Sequence, residues 1–457
     1  MFSKVSRTAA LLVVLCSAAY ASAEMMHMDP SSPNVDERLA SLRQGLGGKM
    51  LHWFLSLFAL VVIPSIACCY AIANRFKTSM TLQLVAGIYS IIEAVVLRFP
   101  DPEGHENRTS RGTAWFLLVF YGLVLLNGGI CEGSNLLRTK FKDSHLGYFG
   151  FQLTPVTYKV ISVLAAECGF VKAAMNLVAI LGFCYNDHTG QCNAHGIMGM
   201  SFIAYGWFMA TMLVIPWLRV SRHKHSQEWY DSIMITAWGI VNTFTEHRPW
   251  QPWSHHDYQH TSMGIIFWAC GMLGIYMSRN NKRSFMPALT LIFTGYAMAQ
   301  HPQELVTSEK VHTFFGMVLL CGGAIRVMEI SFILNDKRSD ASGRIFSFQY
   351  LAPFALVLAG ILFMGANEEQ IQLVVDMGAD YSAYILVAIS TACMVQLFYL
   401  ILLELYLHLS GYSVDSAGPY ESLIGNDDLE HGTDTTPNDS NFELDELSSF
   451  DNDAQAN

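Results

Sequence analysis

The chain has 457 residues, 52% hydrophobic and only 14% charged, and its mean hydropathy is positive at +0.30. Soluble globular chains of this size are less apolar, so the composition indicates an all-α integral membrane protein with the lipid bilayer as its obligatory partner. The net charge of -11 is local: twelve Asp and Glu residues follow Ser413, where there is no Lys or Arg. The rest is near neutral, and no nucleic acid is indicated as a partner.

In chain order, residues 1–23 read as a cleaved signal peptide. Lys4 and Arg7 form the positive region, Ala9 to Ala19 the apolar core, and Ala21-Ser22-Ala23 the cleavage site. Residues 24–48 follow as a lumenal segment whose Met25-Met26-His27-Met28 donors are soft and suit copper. About eleven apolar segments then approach the roughly 20 residues that a spanning helix needs. They lie near 50–73, 79–98, 113–132, 156–184, 195–218, 229–246, 258–278, 284–300, 311–333, 346–365 and 383–407. The eighth is short and carries Pro287. The segments form an N-terminal membrane region, 49–220, and a C-terminal one, 221–410. Residues 411–457, acidic and rich in Ser, Asn and Thr, are expected to be a disordered tail.

Orientation follows from the basic residues. Arg75 and Lys77, then Arg138, Lys140 and Lys142, then Arg219, Arg222 and Lys224 follow the first, third and fifth segments. Arg279, Lys282 and Arg283 follow the seventh, and Lys337, Arg338 and Arg344 the ninth. This is the positive-inside alternation. It places the N-terminus on the lumenal or extracellular side and the tail in the cytosol, in a plasma, vacuolar or other secretory-pathway membrane. The Asn107-Arg108-Thr109 glycosylation sequon and a Cys184/Cys192 pair, a disulfide candidate, both fall on the lumenal side. The other cysteines lie mostly in apolar runs, where they pack as small hydrophobes.

Of the sixteen histidines, roughly eleven then gather at the lumenal boundary. His52 and His195 open the first and fifth spans, and His247 closes the sixth. His260 opens the seventh, His301 closes the eighth and His312 opens the ninth. Asp257-x-x-His260 and Glu309-x-x-His312 set a carboxylate and an imidazole at i, i+3, as in di-metal helix bundles, with Glu246 and Glu304 as further carboxylates. His256 and His260 form an i, i+4 pair suited to zinc or copper. Competing readings are structural. Glu309 also suits a first helical turn, Trp250 and Trp253 an interfacial belt, and His255 and His256 a solvated loop. Deeper charges are Glu93, Glu167 and Lys172, each expected to meet a partner on another helix or to line a wet cavity, while Arg326 and Glu329 form a local i, i+3 pair.

The run Thr245-Glu246-His247 with its tryptophan-containing loop, followed by Asp257-Tyr258-Gln259-His260, resembles the fungal YTP-one-like multi-pass membrane proteins. So do Thr294-Gly295, Gln300-His301-Pro302-Gln303, His312, Phe315-Gly316 and Arg326, with weaker likeness at Met50-Leu51-His52 and His195-Gly196-Ile197-Met198. The resemblance spans roughly 45–335 and implies a kinship with di-haem cytochromes, hence haem b as a candidate cofactor beside iron, copper or zinc. A two-haem relay also needs ligands near the opposite face, where His145, His223, His225, His408 and His431 do not converge.

Two functions follow as expectations. One is a membrane oxidoreductase or electron-transfer protein with Glu246, His247, His260, His301 and His312 as ligands, His52 and His195 as further cofactor ligands, and Asp257, Gln259 and Gln303 orienting imidazoles. The other is a metal-ion transporter or metal-handling protein with Glu93, Glu167 and Lys172 on its path. A non-catalytic scaffold is the third reading.

Overall fold

The computed structural model describes residues 46–96, 108–140, 155–183, 189–220, 225–245, 247, 252–303, 305–335, 337 and 344–412. Regular structure in these residues is entirely helical, as a bilayer requires of segments that must satisfy their own backbone groups. Helix α1 (Leu46–Leu57) continues through a π-helical turn, Phe58–Val62, into α2 (Ile63–Ile72). The wider turn precedes Pro64, whose missing N–H would otherwise break the hydrogen-bond ladder. Helices α3 (Phe76–Val95), α4 (Arg108–Lys140) and α5 (Pro155–Ile180) complete an N-terminal group. The C-terminal group is α6 (Thr189–Val214), the short α7 (Pro216–Val220), α8 (Gln227–Thr245), α9 (His255–Met277), α10 (Met286–Ala299), α11 (Val306–Met328), α12 (Leu351–Met364), α13 (Glu368–Asp376) and α14 (Tyr381–Leu409).

All eleven apolar segments correspond to helices. Among the described residues, nine helices are long and apolar enough to cross a bilayer. The two outside that set are α8, which carries Glu228 and Asp231, and α10, which has 14 residues. The signal-peptide region, Asn107, Glu246, Glu304, Cys184 and the acidic tail lie outside the described residues.

Helices pair closely where side chains are small. In lipid the apolar effect does not favour helix–helix contact over helix–lipid contact, so dispersion at close approach must do so. A Cβ on Gly199 of α6 would lie 2.7 Å from the Gly360 carbonyl oxygen of α12. Gly295 of α10 and Gly316 of α11 meet in the same way, backbone to backbone. Outward faces carry large apolar residues instead, such as Leu386, Val387 and Met394 of α14, as a lipid-facing surface requires.

The connection before α14 is not a bare loop. It contains α13, started by the Asn367 side chain accepting from the Gln370 N–H. Ile371 of α13 packs with Val311 and Ile385, which closes the bundle beside His312. At the opposite end of α6 and α11, Arg219, Arg283, Lys337 and Arg344 line one pocket. The C-terminal group therefore has a histidine end and a basic end.

Candidate functional site

Four histidines from four helix ends meet at the histidine end. The rings of His260 and His301 are 5.3 Å apart, those of His301 and His312 are 6.0 Å apart, and those of His312 and His195 are 6.3 Å apart. His301 and His312 are buried, His195 and His260 half-buried. A repeated spacing explains the convergence. His195 and Gly199, His260 and Gly264, and His312 and Gly316 are all at i, i+4, so each imidazole shares a helix face with a glycine that touches the next helix. The ring stands one turn beyond the point of closest approach.

The tautomers follow from the partners. Nδ1 of His195 is 2.9 Å from the Gln191 carbonyl oxygen, and Nδ1 of His312 is 2.9 Å from the Ser308 carbonyl oxygen. A carbonyl only accepts, so both rings carry their proton on Nδ1. Gln259 settles His301. Its Nε2 donates to the Ala297 carbonyl oxygen at 3.1 Å, which orients Oε1 to accept from His301 Nδ1 at 2.5 Å. Ser308 also donates to Gln303 Oε1, linking that glutamine to the cluster through Ser308. In three rings Nε2 is therefore the lone-pair nitrogen. His195 is further fixed by stacking on Phe363, 4.8 Å away and 17° from parallel.

The remaining site candidates among the described residues lie apart from this group. His52 Nε2 lies 2.8 Å from Glu93 Oε2, and Lys172 Nζ lies 3.4 Å from Glu93 Oε1 and 2.7 Å from the Ser110 carbonyl oxygen. These form a buried ion cluster within the N-terminal group, so His52 is engaged there. Glu167 is half-buried and makes no ion pair among the described residues, which leaves the wet-cavity alternative for it open. His247 stacks on Trp253 at 4.0 Å, with Nδ1 3.4 Å from Asp257 Oδ2. Asp257 completes a capping box with Ser254 at the start of α9, a role that satisfies exposed backbone N–H groups. Glu309 is exposed in the first turn of α11 while His312 is buried. The two carboxylate-x-x-His pairs therefore do not form a di-metal centre. Among the described residues no three His, Cys, Asp or Glu side chains are arranged to hold a metal ion as they stand. Cys192 is disulfide-bonded.

The sequence reading missed a second polar centre. Glu228 and Asp231 on α8 are buried near the basic end. Glu228 Oε1 accepts from Arg283 at 2.6 Å and from Arg326 at 2.9 Å. Arg326 also pairs with Glu329 at 2.7 Å, and Gln349 donates to Glu329 at 3.0 Å. The expected Arg326–Glu329 pair is thus real but belongs to a wider network. Glu228 and Asp231 stand at i, i+3 in an otherwise apolar run, a spacing that marks one buried face.

The comparisons with known proteins agree with this architecture. A family model described as "Protein YTP1-like, C-terminal" matches residues 168–407. Protein YTP1 of Saccharomyces cerevisiae is 48% identical over 366 residues, covering 79% of each chain. An uncharacterized membrane protein of Schizosaccharomyces pombe is 22% identical over 257 residues, 46% of this chain and 50% of the relative. Another uncharacterized membrane protein of Saccharomyces cerevisiae is 26% identical over 174 residues, 32% of this chain and 27% of the relative. No solved structure matches. The matched segment runs from the middle of α5 to the end of α14 and contains His195, His260, His301 and His312, and the chain is a multi-pass membrane protein of the YTP1-like family.

Proposed function

We propose that this protein binds a transition-metal ion at its histidine end, through imidazoles drawn from His195, His260, His301 and His312. One observation carries the reading: His195, His301 and His312 each have Nδ1 held by an acceptor, so each has Nε2 as its ligating nitrogen. That is the outer-shell arrangement by which proteins orient metal-binding histidines. Two imidazoles on one tetrahedral ion have ring centres roughly 5 Å apart, given metal–nitrogen distances of about 2.0–2.1 Å. The observed 5.3–6.3 Å separations of neighbouring rings are somewhat larger, so an ion would have to draw the rings together. An all-imidazole set with no thiolate suits zinc or copper(II).

Haem fits these surroundings less well. A porphyrin between His301 and His312 would have to part α10 and α11, whose backbones meet at Gly295 and Gly316 about a turn away. The oxidoreductase reading needs a redox-active group at the cluster, whether haem, iron or copper. Metal-ion handling, in which the protein binds the ion and passes it on, needs only the cluster.

The test is metal titration of the detergent-purified full chain. Cobalt(II) should give stoichiometric visible bands, displaced by zinc, in the wild type and in His247→Ala. The bands should vanish in a His301→Ala/His312→Ala pair whose melting temperature is preserved. A Soret band in the purified protein would replace the ion with haem, and the absence of any saturable metal binding would leave only a structural role for the cluster.

A further inference from the structure

A cavity of about 330 Å³ lies among α6, α8, α9, α10, α11 and α12, apart from the histidine cluster. Its walls are largely apolar and include Phe202, Tyr205, Trp238 and Phe267. From Glu228 to Trp238 it follows α8 for roughly 15 Å at 1.5 Å per residue. Met234, another lining residue, is 64% exposed, so the cavity reaches the outer surface of the bundle, where lipid chains would lie.

Two carboxylates face this apolar space. Glu228 is 1% and Asp231 4% exposed, yet Glu228 Oε2 and Asp231 Oδ1 have no hydrogen-bond partner. Both residues line the cavity. Tyr205 hydrogen-bonds Asp231, and Arg326 and Arg283 attract it from nearby, but both arginines are engaged by Glu228 and Glu329, and Asp231 forms no ion pair among the described residues. Leaving a buried carboxylate without a countercharge costs several kcal/mol. An ionised carboxylate oxygen only accepts, so the missing partner must be a donor, and charge balance asks for a cation.

The walls decide which cation. A hard inorganic ion such as Ca²⁺ needs six or more oxygens, and this chamber offers mostly carbon. Aromatic faces attract organic ammonium groups. Chambers of this size with few convergent polar atoms are typical of small-molecule sites. The geometry points to a binding site for a lipophilic amine in its protonated form. Its ammonium group would donate to Asp231 Oδ1 and Glu228 Oε2, its apolar body would lie against Trp238, Phe202 and Phe267, and it would enter from the bilayer past Met234. This site is independent of metal binding at the histidine end.

The experiment uses the full chain in lipid nanodiscs, with empty nanodiscs as background, and measures binding of 4-phenylbutylamine, 4-phenylbutanol and 4-phenylbutyrate. The amine should bind saturably, the alcohol at least ten-fold more weakly, and the carboxylate not at all. Asp231→Asn should weaken the amine at least ten-fold without affecting the alcohol. Met234→Trp, which keeps both acids and narrows the entrance, should weaken both. His301→Ala should leave amine binding unchanged, which separates this site from the metal cluster. Equal binding of amine and alcohol, an Asp231→Asn protein that binds amine like the wild type, or no saturable amine binding would each overturn the proposal.

Discussion

The N-terminal and C-terminal helix groups both bury ionisable side chains, but they finish the job differently. In the N-terminal group Glu93 is met by His52 on one oxygen and Lys172 on the other, and Lys172 also donates to both oxygens of Ser110. In the C-terminal group Asp231 and Glu228 each keep a carboxylate oxygen without a partner, and three histidines are oriented from behind through Nδ1. A buried charge whose partners come from its own helix group is explained by folding alone. One whose remaining carboxylate oxygen faces a cavity, as in Asp231, is what the amine proposal rests on.

The largest expected effect tests the first half of that contrast. Lys172→Met leaves Glu93 with His52 as its remaining ionic partner and should cost about 3–5 kcal/mol, the usual penalty for breaking a buried pair. It would be read as lost folded yield or a lower melting temperature in detergent. Pairing it with Glu93→Gln should recover much of the loss. Asp231→Asn removes a charge that has no ion-pair partner, so the unliganded protein should melt at the same temperature or higher. Equal destabilisation by Lys172→Met and Asp231→Asn would erase the distinction.

Next comes Gln259→Leu. It removes the acceptor that fixes the His301 tautomer, and it should weaken metal binding about 10–100-fold while altering stability little. Unchanged affinity would mean that His301 is not a ligand. Smaller again, Ser254→Ala removes the cap of α9 and should cost about 1 kcal/mol without changing metal stoichiometry. That outcome would assign the Ser254–Asp257 pair to the helix terminus.

The smallest effect is a pH dependence at Asp380. The Ala383 backbone N–H, and then the Ser382 hydroxyl, hold its carboxyl below the usual value of 3.8. The charged form is therefore favoured by folding, so its contribution is present above pH 3.8 and is lost as pH falls further. Asp380→Asn should flatten the most acidic part of the stability profile and leave neutral pH unchanged.

Length and hydropathy were enough to establish the helical membrane class and the positions of eleven helices, because every spanning segment must be long, apolar and internally hydrogen-bonded. The order of basic connections was enough to gather Arg219, Arg283, Lys337 and Arg344 at one end. It also brought His195, His260, His301 and His312 to the other. Sequence position could not say which histidines share a contact. His52 and His247 lie at the ends of apolar runs just as His301 does, yet one is bound to Glu93 and the other stacks on Trp253. The i, i+3 spacing paired Asp257 with His260 and Glu309 with His312, but capping drew the first carboxylate to the helix terminus and exposure took the second. What the sequence determined by itself was therefore the set of long apolar helices and the end at which the basic residues and the clustered histidines emerge. Which groups touch, and which retain an unmet valence, was decided by tertiary packing, because rotation of each helix about its own axis is set by small-residue contacts such as Gly199 on Gly360 and Gly295 on Gly316.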